Sequence, residues 1–130
     1  MDNAVEEMLR WEAPVPFSAP RTATQDVTLP NGCTAAAGSM VLAAYGSANV
    51  CPVEFPDGHE VRFDRGRNRH ITFGMGPHRC LGSHLARREL RVVLEEWHKR
   101  IPEYWITPGH EKLEYPPGLR HVRDLMLTWK

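Results

Sequence analysis

The sequence predicts a mainly α chain with short β-strands and many loops, an α+β arrangement forming one small domain over residues 1–130. Residues 81–101 place Leu85, Ala86, Leu90, Val93, Leu94, Trp97 and Ile101 at helical spacings, with charged side chains on the other face. Residues 2–11 repeat that pattern on a shorter scale. Most of the eleven prolines and ten glycines fall between residues 13 and 82, so the middle of the chain has room only for short strands and turns.

The elements follow in order. Residues 1–11 read as a helix, with Asp2 or Asn3 as its cap and Ala4, Val5, Met8 and Leu9 as its apolar side. Glu7 and Arg10 share a face three residues apart. Taken alone, that pair reads as an exposed salt bridge of little worth. Residues 12–72 read as strands and loops. Pro14, Pro16 and Pro20 enforce extended backbone. A strand-and-turn region starts at Arg21, and Val27–Leu29 and Met40–Tyr45 read as strands on either side of a turn at Pro30-Asn31-Gly32. Gly46–Asn49 opens a loop or a short helix. Residues 73–82 are a glycine-hinged loop, and residues 83–101 are a helix that Pro102 ends. Residues 102–130 read as C-terminal strands and a hairpin, drawn from Tyr104–Ile106, Leu113–Tyr115, Pro116–Leu119 and Leu125–Trp129.

Composition narrows the function classes. The chain is 42% hydrophobic and 25% charged, with formal net charge zero, an ordinary soluble balance. It has no apolar run of about 18 residues and no secretory h-region near its start, so neither a membrane span nor a leader is expected. Three well-separated cysteines make no disulfide framework, which points to a reducing, cytoplasmic setting. Nucleic acid is excluded by the zero net charge and by the glutamates interleaved with Arg87–Arg91.

The chemistry concentrates in Phe73-Gly74-Met75-Gly76-Pro77-His78-Arg79-Cys80-Leu81-Gly82. A cysteine before a helix N-terminus, flanked by basic side chains, is placed to ionise and to bind a soft metal centre. Leu81 and Gly82 can offer N–H groups to its sulfur, and Gly76 and Gly82 permit close turns. Two other readings exist: a buried inert thiol, and a zinc site built from His70, His78, Cys80 and His84.

The spacing Phe73-x-x-Gly76-x-x-x-Cys80-x-Gly82, with His78 two before the cysteine and Ala86 six after it, resembles the heme-binding loop of the cytochrome P450 family. The resemblance runs from Asn3 to Trp129. It implies that Cys80 is the proximal thiolate ligand of the iron of heme b and the catalytic centre, a ligand type that favours O–O cleavage. It assigns Phe73, Gly74, Gly82 and Ala86 to the heme pocket, and His78 and Arg21 to the heme propionates. Glu7 and Arg10 resemble the family's buried Glu-x-x-Arg pair, with His70 as third partner and Arg62 as the alternative. Phe17, Ala19 and Leu119 would face the substrate. Where relatives usually continue Asn-Arg-Asp-Pro, this chain reads Asn49-Val50-Cys51-Pro52, a lost charge pair that would loosen residues 51–64.

The implied function is a heme-thiolate monooxygenase of the soluble bacterial type. It would insert one oxygen atom from O2 into a small apolar organic substrate. Electrons would come from a ferredoxin- or flavin-type donor meeting Arg79, Arg87 and Arg88. The chain resembles only the C-terminal third of that fold, the N-terminal two thirds being absent, so a non-catalytic heme-binding module or an inactive truncated product is the alternative. On this reading the isolated chain exposes helix faces that need partners, and is marginally stable, aggregation-prone and poor at holding heme.

Overall fold

The computed structural model describes residues 1–130. In chain order the elements are α1 (Asp2–Glu12), β1 (Ser18–Thr22), β2 (Val27–Thr28), β3 (Thr34–Ala35), β4 (Met40–Ala43), α2 (Tyr45–Ala48), a 3₁₀ turn (Gly76–His78), α3 (Ser83–Arg100), β5 (Tyr104–Ile106) and β6 (Leu127–Trp129). Helices at both ends enclose a loop-rich middle, as the sequence predicts.

Helix α1 starts at Asp2, so neither Asp2 nor Asn3 is its cap. Met1 takes that position without a side-chain bond, and its carbonyl accepts the Val5 N–H at 3.1 Å. At the other end Ala13 adopts the left-handed region (φ 36°) and returns its N–H to Leu9 O. This is the C-terminal geometry that usually selects glycine.

The strands form three separate two-stranded antiparallel sheets, β1–β4, β2–β3 and β5–β6. The β2–β3 connection follows the expected turn. The Asn31 side chain accepts the Cys33 N–H, and Gly32 takes φ 85°. β1 begins at Ser18, earlier than expected, and its pairing with β4 shifts between Ser18 and Arg21. Tyr45 opens α2 rather than closing a strand. The expected strand at Leu113–Tyr115 does not form, and the C-terminal hairpin is made instead by β5 and β6, which pair antiparallel across the long connection 107–126. Pro116 and Pro117 explain the difference, because neither has an N–H to give to a ladder.

Ten residues are buried, and they gather around α1. Val5, Leu9, Ala13 and Phe55 are apolar, Glu7, Arg10, Asn49, Thr72 and Ser83 are polar or charged, and the tenth is Gly58. The centre is therefore held as much by hydrogen bonds as by apolar contact. Helix α3 lies against α1 but is not the core-packed element that its apolar stripe predicts. Ser83 is its buried residue, while Leu85 is 63% and Val93 62% exposed. α3 meets α1 through charged side chains, Arg87 on Glu6 and Arg91 on Asp2, while Ala86, Leu90 and Val93 of its apolar stripe line a cavity. No helix is long and apolar enough to cross a membrane.

Candidate functional site

Backbone bonds shape the loop around Cys80. The Cys80 N–H donates to Phe73 O at 2.8 Å, and Gly74 N–H donates to Ile71 O at 2.8 Å. Gly74 and Gly76 take φ of 70° and 69°, values that a side chain would strain. The turn Gly76–His78 carries Pro77 near its start, and the Ser83 N–H joins α3 to Cys80 O at 3.3 Å. Helix α3 begins at Ser83, where the sequence places its start, with Gly82 as its cap residue.

Cys80 and His78 line one cavity of about 620 Å³ with Ser18, Ala19, Tyr45, Phe73, Gly74, Ala86 and Leu90. The cavity thus joins β1, the start of α2, the cysteine loop and the first turns of α3. Of the residues expected there, Phe17, Arg21, Gly82 and Leu119 lie off its wall. The expectation that Phe17 and Ala19 share a face fails for a physical reason. Ala19 takes a left-handed φ of 56°, and the register shift in β1 breaks the alternation. Ser18 and Ala19 both line the cavity, and Phe17 is 56% exposed. Arg21 is exposed, its guanidinium donating to Pro20 O. Leu119 sits in the long connection, which is pinned near the cavity by the Arg120 N–H on Pro14 O at 2.7 Å.

The zinc arrangement does not assemble, because no three His, Cys, Asp or Glu side chains come together as metal ligands. Nor is Cys80 buried. It is exposed, as is Cys33, and Cys51 is half-buried.

Beneath the cavity, Glu7 and Arg10 form a fully buried ion pair, with Arg10 Nη2 2.7 Å from Glu7 Oε1 and Nε 2.8 Å from Oε2. Arg10 donates further to Asn49 O, Gly58 O and Glu60 O. The third partner is not His70. Arg65 Nε reaches Glu7 Oε2 at 3.0 Å, and the Arg62 backbone N–H reaches Oε1 at 2.8 Å. The Arg62 side chain instead turns to Asp57 and Asp64. Asn68 also donates to Glu7, leaving its own Oδ1 without a partner. Burial alone would raise the Glu7 carboxyl, but the hydrogen bonds from Arg10, the Arg62 N–H and Arg65 outweigh it and hold it at about 2. Hydrogen bonds from Arg65 and Arg62 hold Asp57 at about 2 as well.

His70 belongs to a second cluster. Its Nε2 lies 3.0 Å from Glu6 Oε2, and Glu6 receives both Nε and Nη2 of Arg87. The Arg87 guanidinium also lies over the Phe73 ring, 4.6 Å from its centroid. Burial pushes the His70 ring below its ordinary value, despite the pull of Glu6. Burial would raise Glu6, yet Arg87 and His70 hold it lower than usual. Arg87 is therefore committed inside the molecule and does not present a free cation, whereas Arg79 and Arg88 are exposed.

Sequence reasoning missed Arg65, Asn49 and Thr72. Arg62 and Arg65 are chemically identical candidates in one turn, and only the path of the chain decides between them. Asn49 Nδ2 donates to Arg10 O and Thr72 Oγ1, and its Oδ1 accepts the Ile71 N–H. These bonds link α1 to the segment that leads into the cysteine loop.

A family model described as Cytochrome P450 matches residues 1–97. The chain belongs to the cytochrome P450 family. It is 42% identical over 133 aligned residues to a mycinamicin IV hydroxylase/epoxidase of Micromonospora griseorubida, an alignment covering 98% of this chain and 32% of that protein. It is 37% identical to the cytochrome P450 monooxygenase PikC of Streptomyces venezuelae, covering 100% of this chain and 32% of the other. Among solved structures, P450BioI in complex with an acyl carrier protein superposes with a TM-score of 0.91 at 33% identity, covering 99% of this chain and 33% of that one. CYP154A1 of Streptomyces coelicolor gives a TM-score of 0.91 at 34% identity, covering 97% and 32%. This P450 chain thus spans about a third of the length of the relatives it matches.

The family implies heme, and the residues present fit it. A soft sulfur donor stands on the wall of a mostly apolar cavity that also carries an imidazole, His78, and one carboxylate, Glu89. Two glycines border the cavity's polar atoms. A Cβ at Gly82 would touch Cys80 Sγ at 3.9 Å, and a Cβ at Gly74 would press the Tyr45 hydroxyl at 3.3 Å.

Proposed function

We propose that this chain is the heme-thiolate portion of a cytochrome P450 monooxygenase acting on a small apolar organic substrate. One observation carries the reading: Cys80, His78 and the apolar walls Ala19, Phe73, Ala86 and Leu90 face a single cavity. Bound heme b would supply O2 binding and O–O cleavage, and a thiolate ligand favours that cleavage.

The chain's own residues do the rest. Cys80 supplies the thiolate, held in place by its N–H on Phe73 O. His78 is placed on the wall to hydrogen-bond a propionate. Exposed Arg21 is proposed for the other propionate, because its fork can take both carboxylate oxygens. Ala19 and Leu90 exclude water from one side and favour an apolar guest. The substrate class rests on relatives named a steroid C26-monooxygenase and a methyl-branched lipid omega-hydroxylase. Exposed Arg79 and Arg88 are the proposed contacts for an acidic electron donor, of ferredoxin or flavin type.

Heme titration followed by reduction under carbon monoxide tests the reading. The parent chain should show a strongly red-shifted Soret band, and His78→Ala should weaken heme uptake while keeping that band. Turnover of an apolar substrate with an electron donor then separates a monooxygenase from a heme-binding module.

A further inference from the structure

The geometry points to Arg87 as a positioning residue for the Cys80 loop, acting through the Phe73 ring. Its consequence for the metal rests on the heme-thiolate reading above.

Arg87 stands one turn into α3 and is anchored on three sides. Glu6 on α1 accepts Nε and Nη2, the latter at 2.9 Å. Ser83 O accepts Nη1 at 3.4 Å. The remaining face of the guanidinium covers Phe73 at 4.6 Å from the ring centroid. Glu6 is itself fixed by His70, whose side chain is 2% exposed. The carboxylate therefore sets the plane of the cation, and the cation sets the ring. Such a contact is stronger where water is partly excluded, and the Arg87 side chain is 26% exposed.

The ring in turn sets the ligand. Phe73 O accepts the Cys80 N–H at 2.8 Å, so a displaced Phe73 shifts the acceptor that orients the thiol-bearing residue. The route runs from α1 through Glu6, Arg87 and Phe73 to Cys80. Arginine is required because a lysine ammonium cannot both take two carboxylate oxygens and lie flat on an aromatic face.

The structure supplies its own control. Arg91, one turn further along α3, also joins α1 to α3, with Nη1 3.0 Å from Asp2 and Nε 2.9 Å from Glu95. It is 48% exposed and takes part in none of the cation–ring contacts. A role as mere helix tie would make the two arginines equivalent.

The test uses the 130-residue chain with Arg87→Gln, Arg87→Lys, Arg91→Gln, Phe73→Leu and the Phe73→Leu/Arg87→Gln double variant. Amide exchange is read first, without heme. Arg87→Gln should speed exchange at Cys80 by about tenfold, the effect of losing one partly desolvated cation–ring contact, and leave Leu9 in α1 unchanged. Arg87→Lys should fall between Gln and parent, and Arg91→Gln should match the parent. In the Phe73→Leu background, Arg87→Gln should add nothing. Should Arg87→Gln fail to fold, Glu6→Gln takes its place and must show the same selective rise at Cys80. Equal effects of the Arg87 and Arg91 variants at Cys80, or full additivity with Phe73→Leu, would overturn the proposal. With heme loaded, Arg87→Gln should also shift the ferric/ferrous potential and erode the red-shifted carbon monoxide band. A parent chain with no Cys80-dependent band would sink the heme reading alone, since the exchange experiment still decides on Arg87.

Discussion

Glu7 shows how much one carboxylate can organise. Its oxygens collect donors from Arg10, Arg65, Asn68 and the Arg62 backbone, all within 3.0 Å. Glu7→Gln would leave two arginines facing a neutral amide in a site closed to water. Removing one partner of a buried pair costs about 3–5 kcal/mol, so the urea midpoint of this variant should fall sharply or the transition should vanish. Acid should act the same way. The folded Glu7 carboxyl sits at about 2 against an ordinary 4.5. Its stabilisation is therefore complete above about 4.5 and is lost as pH falls toward 2. His70 is lowered from its ordinary 6.5 by burial, so the unfolded chain takes up its proton first and stability falls as pH drops below that value. Both groups predict a urea midpoint that declines from neutral pH to acid, beginning with His70. A midpoint that rises over that range contradicts this account.

At the scale of elements, the junction between α1 and residues 49–60 carries the loop. The lost Arg-Asp pair at Val50-Cys51 does not leave this segment unanchored. Phe55 is 3% exposed, with the Arg10 guanidinium 5.2 Å from its ring centroid, and Arg10 holds Gly58 O and Glu60 O. Gly58 is required by close approach, since a Cβ there would lie 2.5 Å from Val50 O. Gly58→Ala should destabilise by about 1–3 kcal/mol through forced backbone movement, measurable by denaturant titration. These elements were unequally legible in the sequence. Helical spacing marked α1 and α3 because their period is regular, and Cys80, His78, Phe73 and Ala86 could be placed because a short motif fixes their spacing. Arg65 could not be told from Arg62, and His70 could not be assigned to Glu6 rather than Glu7, because each choice depends on the route of a loop without periodicity. Phe17 was misplaced because one left-handed alanine inverts the alternation of a strand, and nothing local in Ser18-Ala19-Pro20 announces it.

Across the whole molecule, the balance of exposed and buried apolar surface sets behaviour. Leu81 is 98% exposed, and Leu85 and Val93 are more than half exposed on α3, while four apolar residues form the buried core. Surface of this kind favours association and leaves little burial to oppose chain entropy. The isolated chain should bind an apolar dye while folded and melt over a broad range, a result read by dye fluorescence and circular dichroism. A sharp cooperative transition without dye binding would contradict that expectation. The central claim is the bond from Cys80 to heme iron, and the carbon monoxide spectrum of the reduced, heme-titrated chain tests it most directly. The account predicts a strongly red-shifted Soret band in the parent that disappears in Cys80→Ala; the same band in both proteins, or in neither, contradicts it.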